Sequence, residues 1–291
     1  MVANMKNENK VLACVDQSRF AEHVADYAAW AARRMNAPLE LLHILDRHPE
    51  TASSRDHSGA IGIGAQEQLL STLSDEDELR SKAAREQGRI FLNRLRERAM
   101  AAGVDSPDVR QRHGNLVETL AEQEGEVRLF VLGRRGESAE HTQRDLGRNV
   151  ERVVRSLHKP ILTITEGFTE PNRVMIAFDG GIVTRRGVEM VAASPLFKGL
   201  PIHLLMSGKK SREAPRQLEW ARKTLEAADL HAPASLIHGD AESVIAKAVQ
   251  DQDIDILVMG AYSHSPLRSL FLGSKTSDLL RSARIPTLLL R

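Results

Sequence analysis

The sequence predicts an α/β protein made of two tandem doubly wound domains, each with a five-stranded parallel sheet. Three observations carry this expectation. Short apolar runs alternate along the whole chain with segments of helical periodicity. Two of those runs end in an aspartate, Val11-Leu12-Ala13-Cys14-Val15-Asp16 and Val174-Met175-Ile176-Ala177-Phe178-Asp179. The landmarks that follow each of these runs recur in the same order. Strands that are apolar throughout and separated by helices pair in parallel and are covered on both faces.

In the first half, Ala21, Val24, Ala25, Ala28 and Ala31 fall at helical spacing within Ser18 to Met35, and Pro38-Leu39-Glu40-Leu41-Leu42 opens the second strand. Helices are predicted over 84–102 and Leu116 to Glu124, on either side of a strand ending at His113-Gly114-Asn115. Val127 to Gly133 is the fourth strand, Gly147 to Leu157 a helix, and Ile161 to Thr165 the last strand. In the second half, a helix over Gly187 to Ala193 precedes the strand at Pro201-Ile202-His203-Leu204-Leu205. Helices at Pro215 to Ala228 and Ser243 to Gln250 flank His238-Gly239-Asp240, and Asp255 to Gly260 and Thr287 to Leu290 complete the sheet. The link is Glu166 to Asn172, punctuated by Gly167 and Pro171, giving domains 1–166 and 172–291.

The spacing of the repeat locates an insertion. Asp16 and Asp179 are 163 residues apart, as are Pro38 and Pro201, whereas His113 and His238 differ by 125 and Pro160 and Pro286 by 126. Asp16 to Gly133 is 117 residues and Asp179 to Gly260 only 81, so the first half carries 36 extra residues, at about 47–82. The Ser58 to Gly64 stretch is glycine-rich, and Asp75-Glu76-Asp77-Glu78 is an acidic cluster suited to the positive start of the next helix. A surface excursion is the simple expectation for this segment, and a lid over a ligand the sharper one.

Composition narrows the function classes. With 40 basic and 39 acidic residues among 291, the net charge is +1, and no global field draws the chain to nucleic acid or a membrane. The single cysteine, Cys14, excludes an intramolecular disulfide and lies between apolar neighbours, as a core thiol would. Met1 to Asn9 is polar and no apolar run approaches the length of a membrane span, so the expectation is a cytoplasmic protein. The eleven histidines form no His-x-x-x-His pair, and neither a nucleophile elbow nor a Ser-His-Asp order stands out, so no metal site and no catalytic residue is assigned. Two Trp and two Tyr leave little to stack on a flavin ring.

The chemistry-bearing pattern sits after the fourth strand of each half. In the second, Asp255 to Gly260 runs into Ala261-Tyr262-Ser263 and, nine residues later, Gly273-Ser274-Lys275-Thr276. A strand entering a small-residue turn and a Gly-Ser step before a helix presents amides and the helix dipole to an anion. In the first, Gly133 and Gly136 are followed after ten residues by Gly147-Arg148-Asn149.

The Asp-ended first strand, with this Gly-x2-Gly-x9-Gly-[Ser/Thr] arrangement, resembles the universal stress protein family, here as two fused copies covering nearly the whole chain. The resemblance implies flavodoxin-like (adenine nucleotide alpha hydrolase-like) sheets of strand order 3-2-1-4-5, and ATP or AMP as ligand, with Mg2+ as a candidate companion. In that order strands 1 and 4 lie side by side at the crevice where ligands bind. It implies that Asp16 and Asp179 hold the adenosine side, that Ile44 or Ser207 at the second-strand ends supplies backbone contacts, and that Gly133 and Gly260 open the phosphate loops. Gly273, Ser274, Lys275 and Thr276 then take phosphate in the second half.

The copies depart from the pattern differently. Ser263 replaces the second glycine in one. In the other the spacer is longer and Arg148 replaces the hydroxyl residue, leaving Arg134, Arg135 and Arg148 as guanidinium clamps or as solvated surface charges. Asp16 also has a plainer role open to it, capping the next helix. Three functions remain in view: a nucleotide-binding stress-response module read by a protein partner, a slow ATP hydrolase that is at most a weak ATPase, or a nucleotide-independent interaction protein. The apolar terminal strands of the halves invite pairing as an intrachain pseudo-dimer, with a further homodimer open.

Overall fold

The structure is a computed structural model that describes residues 9–45, 63–134, 148–165, 167–208, 212–261 and 285–291. The first half runs β1 (Lys10–Val15), α1 (Ala21–Met35), β2 (Leu39–Leu45), α2 (Ile63–Ala101), β3 (Asp108–His113), α3 (Leu116–Gln123), β4 (Val127–Gly133), α4 (Arg148–Ser156) and β5 (Ile161–Ile164). The second runs β6 (Val174–Phe178), α5 (Ile182–Ala193), β7 (Ile202–Gly208), α6 (Ala214–Glu226), β8 (Ala234–His238), α7 (Ala241–Asp251), β9 (Ile256–Gly260) and β10 (Thr287–Leu290). Among the described residues no helix is long and apolar enough to cross a membrane.

The two five-stranded sheets join into one sheet of ten strands, in the order β3-β2-β1-β4-β5-β10-β9-β6-β7-β8. Every pairing within a half is parallel, and the join between β5 and β10 is antiparallel. In that join Leu162 faces Leu288, with Ile161 opposite Leu289 and Thr163 opposite Thr287. Leu162 and Leu288 are equivalent positions of the repeat, 126 residues apart, so a local two-fold axis passes between them. The terminal strands thus satisfy each other's edges, and their otherwise orphaned backbone groups extend the ladder.

Both faces of the sheet are covered. Val11, Ala13 and Val15 of β1 point into a core shared with α1, α2, α5 and α6, while Leu12 points to the opposite core, under α3, α4 and α7. In β4, Leu129 and Val131 belong to the first core and Phe130 and Leu132 to the second. This alternation within runs that are apolar on every residue is the signature of a parallel sheet buried on two sides. At the amino end of β1 the fully buried Lys10 ammonium is held by Glu40 at 2.9 Å and Glu126 at 3.2 Å, with Arg110 3.2 Å from the other Glu40 oxygen. That ionic cluster lies at the end of the sheet away from the strand-end aspartates.

Two helices begin earlier than the sequence pattern suggests. α2 extends back to Ile63, so the acidic cluster at 75–78 falls inside the helix and not at its start. No proline interrupts 63–101, and its Gln, Glu, Leu, Lys, Arg and Ala residues all favour helix. α5 starts at Ile182, five residues before Gly187. The helix that follows β3 is capped by Asn115, whose Oδ1 accepts the N–H groups of Val117 (2.9 Å) and Glu118 (3.4 Å), and its counterpart after β8 by Asp240.

Candidate functional site

Asp179 follows the last residue of β6, and Gly260 ends the neighbouring β9. Their register, Ala177 opposite Met259, places Phe178 level with Gly260 and Asp179 just beyond it. Asp179 Oδ1 accepts two hydrogen bonds, from the Gly181 N–H at 2.8 Å and from the Thr184 hydroxyl at 2.5 Å. Both fall on the same oxygen, which leaves Oδ2 of this exposed carboxylate open to a ligand. Thr184 is 7% exposed and stands in the first turn of α5. Its methyl group meets Gly260: a Cβ added there would lie 3.2 Å from Thr184 Cγ2 and 3.2 Å from Val183 Cγ1. One threonine therefore orients the β6 carboxylate with its hydroxyl and sets how closely the β9 turn approaches with its methyl.

The loop carrying Asp179 is braced from α6. Gly180 adopts φ +77°, a conformation that favours glycine, and a Cβ there would meet Gln217 Oε1. Arg185 donates through Nε to the Gly180 carbonyl at 3.0 Å, and its guanidinium lies 5.0 Å from the centroid of Trp220, which stacks on Phe178 at 6.3 Å. The N-terminus of α5 and the Arg185 cation add positive charge near the Asp179 carboxylate. Thr184 and Gln217 escape a reading of sequence periodicity, because Thr184 falls between the aspartate and the first clear helical spacing.

The first half builds the same position differently. Asp16 Oδ1 accepts the Ser18 N–H at 3.2 Å and the Ser18 hydroxyl, and Ser18 Oγ in turn accepts the Phe20 N–H at 3.4 Å. By the offset of 163, Ser18 corresponds to Gly181 and Ala21 to Thr184, so the hydroxyl has moved from the helix into the loop. The capping role open to Asp16 is not the one observed: the residue at the α1 N-cap, Phe20, has no side-chain acceptor, and Asp16 acts through Ser18. Its own crevice is Val15 level with Gly133, next to Cys14 opposite Leu132. An open depression of about 340 Å³ flanks it, bounded by Gln17 and Ser18 and by Gln87, Phe91 and Arg94 of α2. Desolvation, then the charges of Glu40 and Asp16, pushes the Cys14 thiol far above its usual range, which makes it unreactive.

Ile44 and Ser207 are half-buried at the carboxyl ends of β2 and β7, opposite Arg112 and Ile237. The structure thus brings Asp16, Ile44 and Gly133 to one sheet edge, and Asp179, Ser207 and Gly260 to the corresponding edge of the other half. Arg148 and Asn149 open α4, and their side chains are not among those described. Arg135, Gly136, Gly147, Ser263, Gly273, Ser274, Lys275 and Thr276 lie outside the described residues.

A doubly wound sheet with a strand-end carboxylate and a strand-end glycine converging on a helix N-terminus defines the class of α/β domains that bind ligands at the crevice where strand order reverses. Residues 8–165 and 171–291 each match the universal stress protein family. Universal stress protein Slr1230 of Synechocystis is 34% identical over 290 residues, spanning 99% of this chain and 100% of its own. A universal stress protein from Archaeoglobus fulgidus superposes with a TM-score of 0.69 at 13% identity, covering 99% of this chain and 98% of the other. One from Pseudomonas aeruginosa gives 0.59 at 16% identity, with 98% and 94% covered. The chain belongs to the universal stress protein family, with two such domains in tandem.

Proposed function

We propose that this chain is an adenine-nucleotide-binding regulatory module whose principal site lies in the second half, and that ATP or AMP there sets the conformation read by a protein partner. The observation that carries the reading is the double role of Thr184, which ties Asp179 and Gly260 to one helix N-terminus. In this reading the open Asp179 oxygen accepts from the ribose hydroxyls, and the backbone near Ser207 contacts the base. The turn from Gly260 through Ser263 to Gly273, Ser274, Lys275 and Thr276 takes the phosphates through amides, hydroxyls and one ammonium, with Mg2+ as a phosphate-bound companion. In the first half Asp16, Ile44, Gly133, Gly136, Gly147 and Asn149 hold the weaker site, where Arg135 and Arg148 supply charge in place of a hydroxyl. The reading also carries a cytoplasmic, stress-responsive role, domain limits of 1–166 and 172–291, and homodimerisation that leaves both crevices outward.

Calorimetric titration of the purified chain with ATP and AMP tests the proposal. Asp179→Ala should remove more affinity than Asp16→Ala, and Gly273→Asp should abolish second-site binding while the thermal midpoint holds, because it adds a Cβ and a negative charge where phosphate sits. Binding in the first half, carried by exposed guanidinium groups, should weaken more steeply with salt, since such contacts are screened within about 8 Å at physiological ionic strength. A chain that binds neither nucleotide, or loses more affinity through Asp16→Ala at both low and high salt, overturns this assignment.

A further inference from the structure

The two halves meet along a seam that has two sides related by the local axis at Leu162 and Leu288, and the two sides are not alike. One side is filled. There Tyr27 and the fully buried Trp30 of α1 occupy the seam, and Phe168 of the interdomain link packs edge-on against Tyr27 with ring centroids 4.8 Å apart. The Tyr27 hydroxyl accepts the Thr169 N–H at 3.5 Å, and Asp255 accepts the N–H groups of Asn172 and Arg173 at 2.8 Å each. A single chain has only one link, so only one side can be sealed this way.

The other side holds a cavity of about 240 Å³ between the halves. Four substitutions between the equivalent positions open it or make it basic, while Met35, Leu196 and Phe197 make its wall apolar where the filled side has Lys198, Arg33 and Arg34. Met190 and Ala193 stand where the filled side has Tyr27 and Trp30, at the offset of 163. Arg128 stands where the filled side has Asp255, and Lys159 where it has Ile285, at offsets of 127 and 126. The walls are apolar, with Met35 and Leu129 from the first half and Leu196, Phe197 and Leu288 from the second, all of them buried. Arg34 reaches across the seam and donates to the carbonyls of Leu196 and Lys198, which fixes the turn that carries Leu196 and Phe197.

Arg128 and Lys159 are the charged groups of this lining. Arg128 stands two residues before Phe130, and Lys159 two residues before its ladder partner Ile161, at the amino ends of β4 and β5. Both are half-buried, and among the described residues neither forms an ion pair. Glu126, two residues before Arg128, is 3.2 Å from the Lys10 ammonium, and Glu124 spends one carboxylate oxygen on the His158 and Lys159 backbone N–H groups. Two half-buried cations beside an apolar chamber offer charge-assisted hydrogen bonds to the head of an amphipathic anion.

We propose that the seam cavity binds a small amphipathic carboxylate, a medium-chain acyl or aryl acid, with its tail among Met35, Met190, Phe197 and Leu288 and its carboxylate between Arg128 and Lys159. The volume lies below the roughly 300–1,000 Å³ of drug-sized pockets, which limits the occupant to a short chain or one ring. The site is separate from the nucleotide crevice, since it is reached from the amino ends of β4 and β5 and not from the carboxyl ends of the strands.

Octanoate, with 1-octanol as its neutral counterpart, probes the site on the full chain by calorimetry and by the shift in thermal midpoint. Octanoate should bind at one equivalent and raise the midpoint, and octanol should bind at least about tenfold more weakly. The double variant Arg128→Gln/Lys159→Gln should lose octanoate binding by about tenfold or more while keeping its circular dichroism spectrum and its response to ATP. Ala193→Trp, which installs the residue of the filled side, should exclude octanoate. Octanol binding as tightly as octanoate, a double variant that binds like the parent, or no saturable octanoate binding at millimolar concentration would each overturn the assignment. The charge variant decides the matter even if Ala193→Trp fails to fold.

Discussion

Thr184→Val isolates the contact on which the second-half site depends. The substitution keeps the shape of the side chain and the methyl that faces Gly260, and removes only the hydroxyl that donates to Asp179 Oδ1. A hydrogen bond to a charged group contributes about 1.5–3 kcal/mol. Here the lower end applies, because Asp179 is exposed, the Gly181 N–H remains on the same oxygen, and water can replace the lost donor. A loss of about 1–2 kcal/mol corresponds to a fall of about 2–8 °C in the thermal midpoint for a chain of this size. The carboxylate, held by one donor, then samples rotamers that do not face the crevice, and ATP affinity should fall by about tenfold, equivalent to about 1.4 kcal/mol. Thr184→Ser keeps the donor and should restore most of the affinity even though it loses the methyl contact. Differential scanning fluorimetry and calorimetric titration read the two effects separately. If Thr184→Val binds ATP as the parent does, the hydroxyl does not position Asp179 and the proposed geometry of the site is wrong.

Two further outcomes follow from neighbouring contacts. Gly260→Ala places a methyl 3.2 Å from both Thr184 Cγ2 and Val183 Cγ1, inside the roughly 3.5–4.0 Å optimum for carbon contacts. The turn must back away, and the urea midpoint should fall by an amount equivalent to about 1–3 kcal/mol, with ATP affinity falling alongside; an unchanged midpoint would show that the β9 turn has room the structure does not give it. His203, whose Nε2 is buried without a hydrogen-bond partner, has its pKa lowered by desolvation. A histidine that binds its proton less readily when folded contributes stability that is complete above its unfolded pKa of about 6.5 and is lost as pH falls toward the lower folded value. The parent should therefore lose more stability than His203→Gln between about pH 7 and about pH 5, and parallel losses in urea titrations would remove His203 as a contributor.

What local pattern could show, it showed from the sequence. Runs apolar on every residue, broken by helical spacing, announce strands covered on both faces, and the constant offsets between Asp16 and Asp179 and between Pro160 and Pro286 announce two copies. Strand-end aspartates and glycines were visible because a crevice residue must stand at the end of an apolar run, which is a one-dimensional fact. The helix at 63–101 was only half legible, since its weakly patterned amino-terminal part gives no periodicity to set against the propensity of its residues. The Thr184 contacts to Asp179 and Gly260, the bracing of Gly180 by Gln217, and the pairing of Leu162 with Leu288 join residues whose separation in sequence carries no signal. The seam shows the difference most sharply. The substitutions of Tyr27 by Met190 and of Trp30 by Ala193 are present in the repeat, but they become a cavity only because the edge strands pair antiparallel and one link seals one side. Sequence periodicity fixes which face of an element is apolar; which two apolar faces meet, and how completely they fill the space between them, is settled by packing in three dimensions.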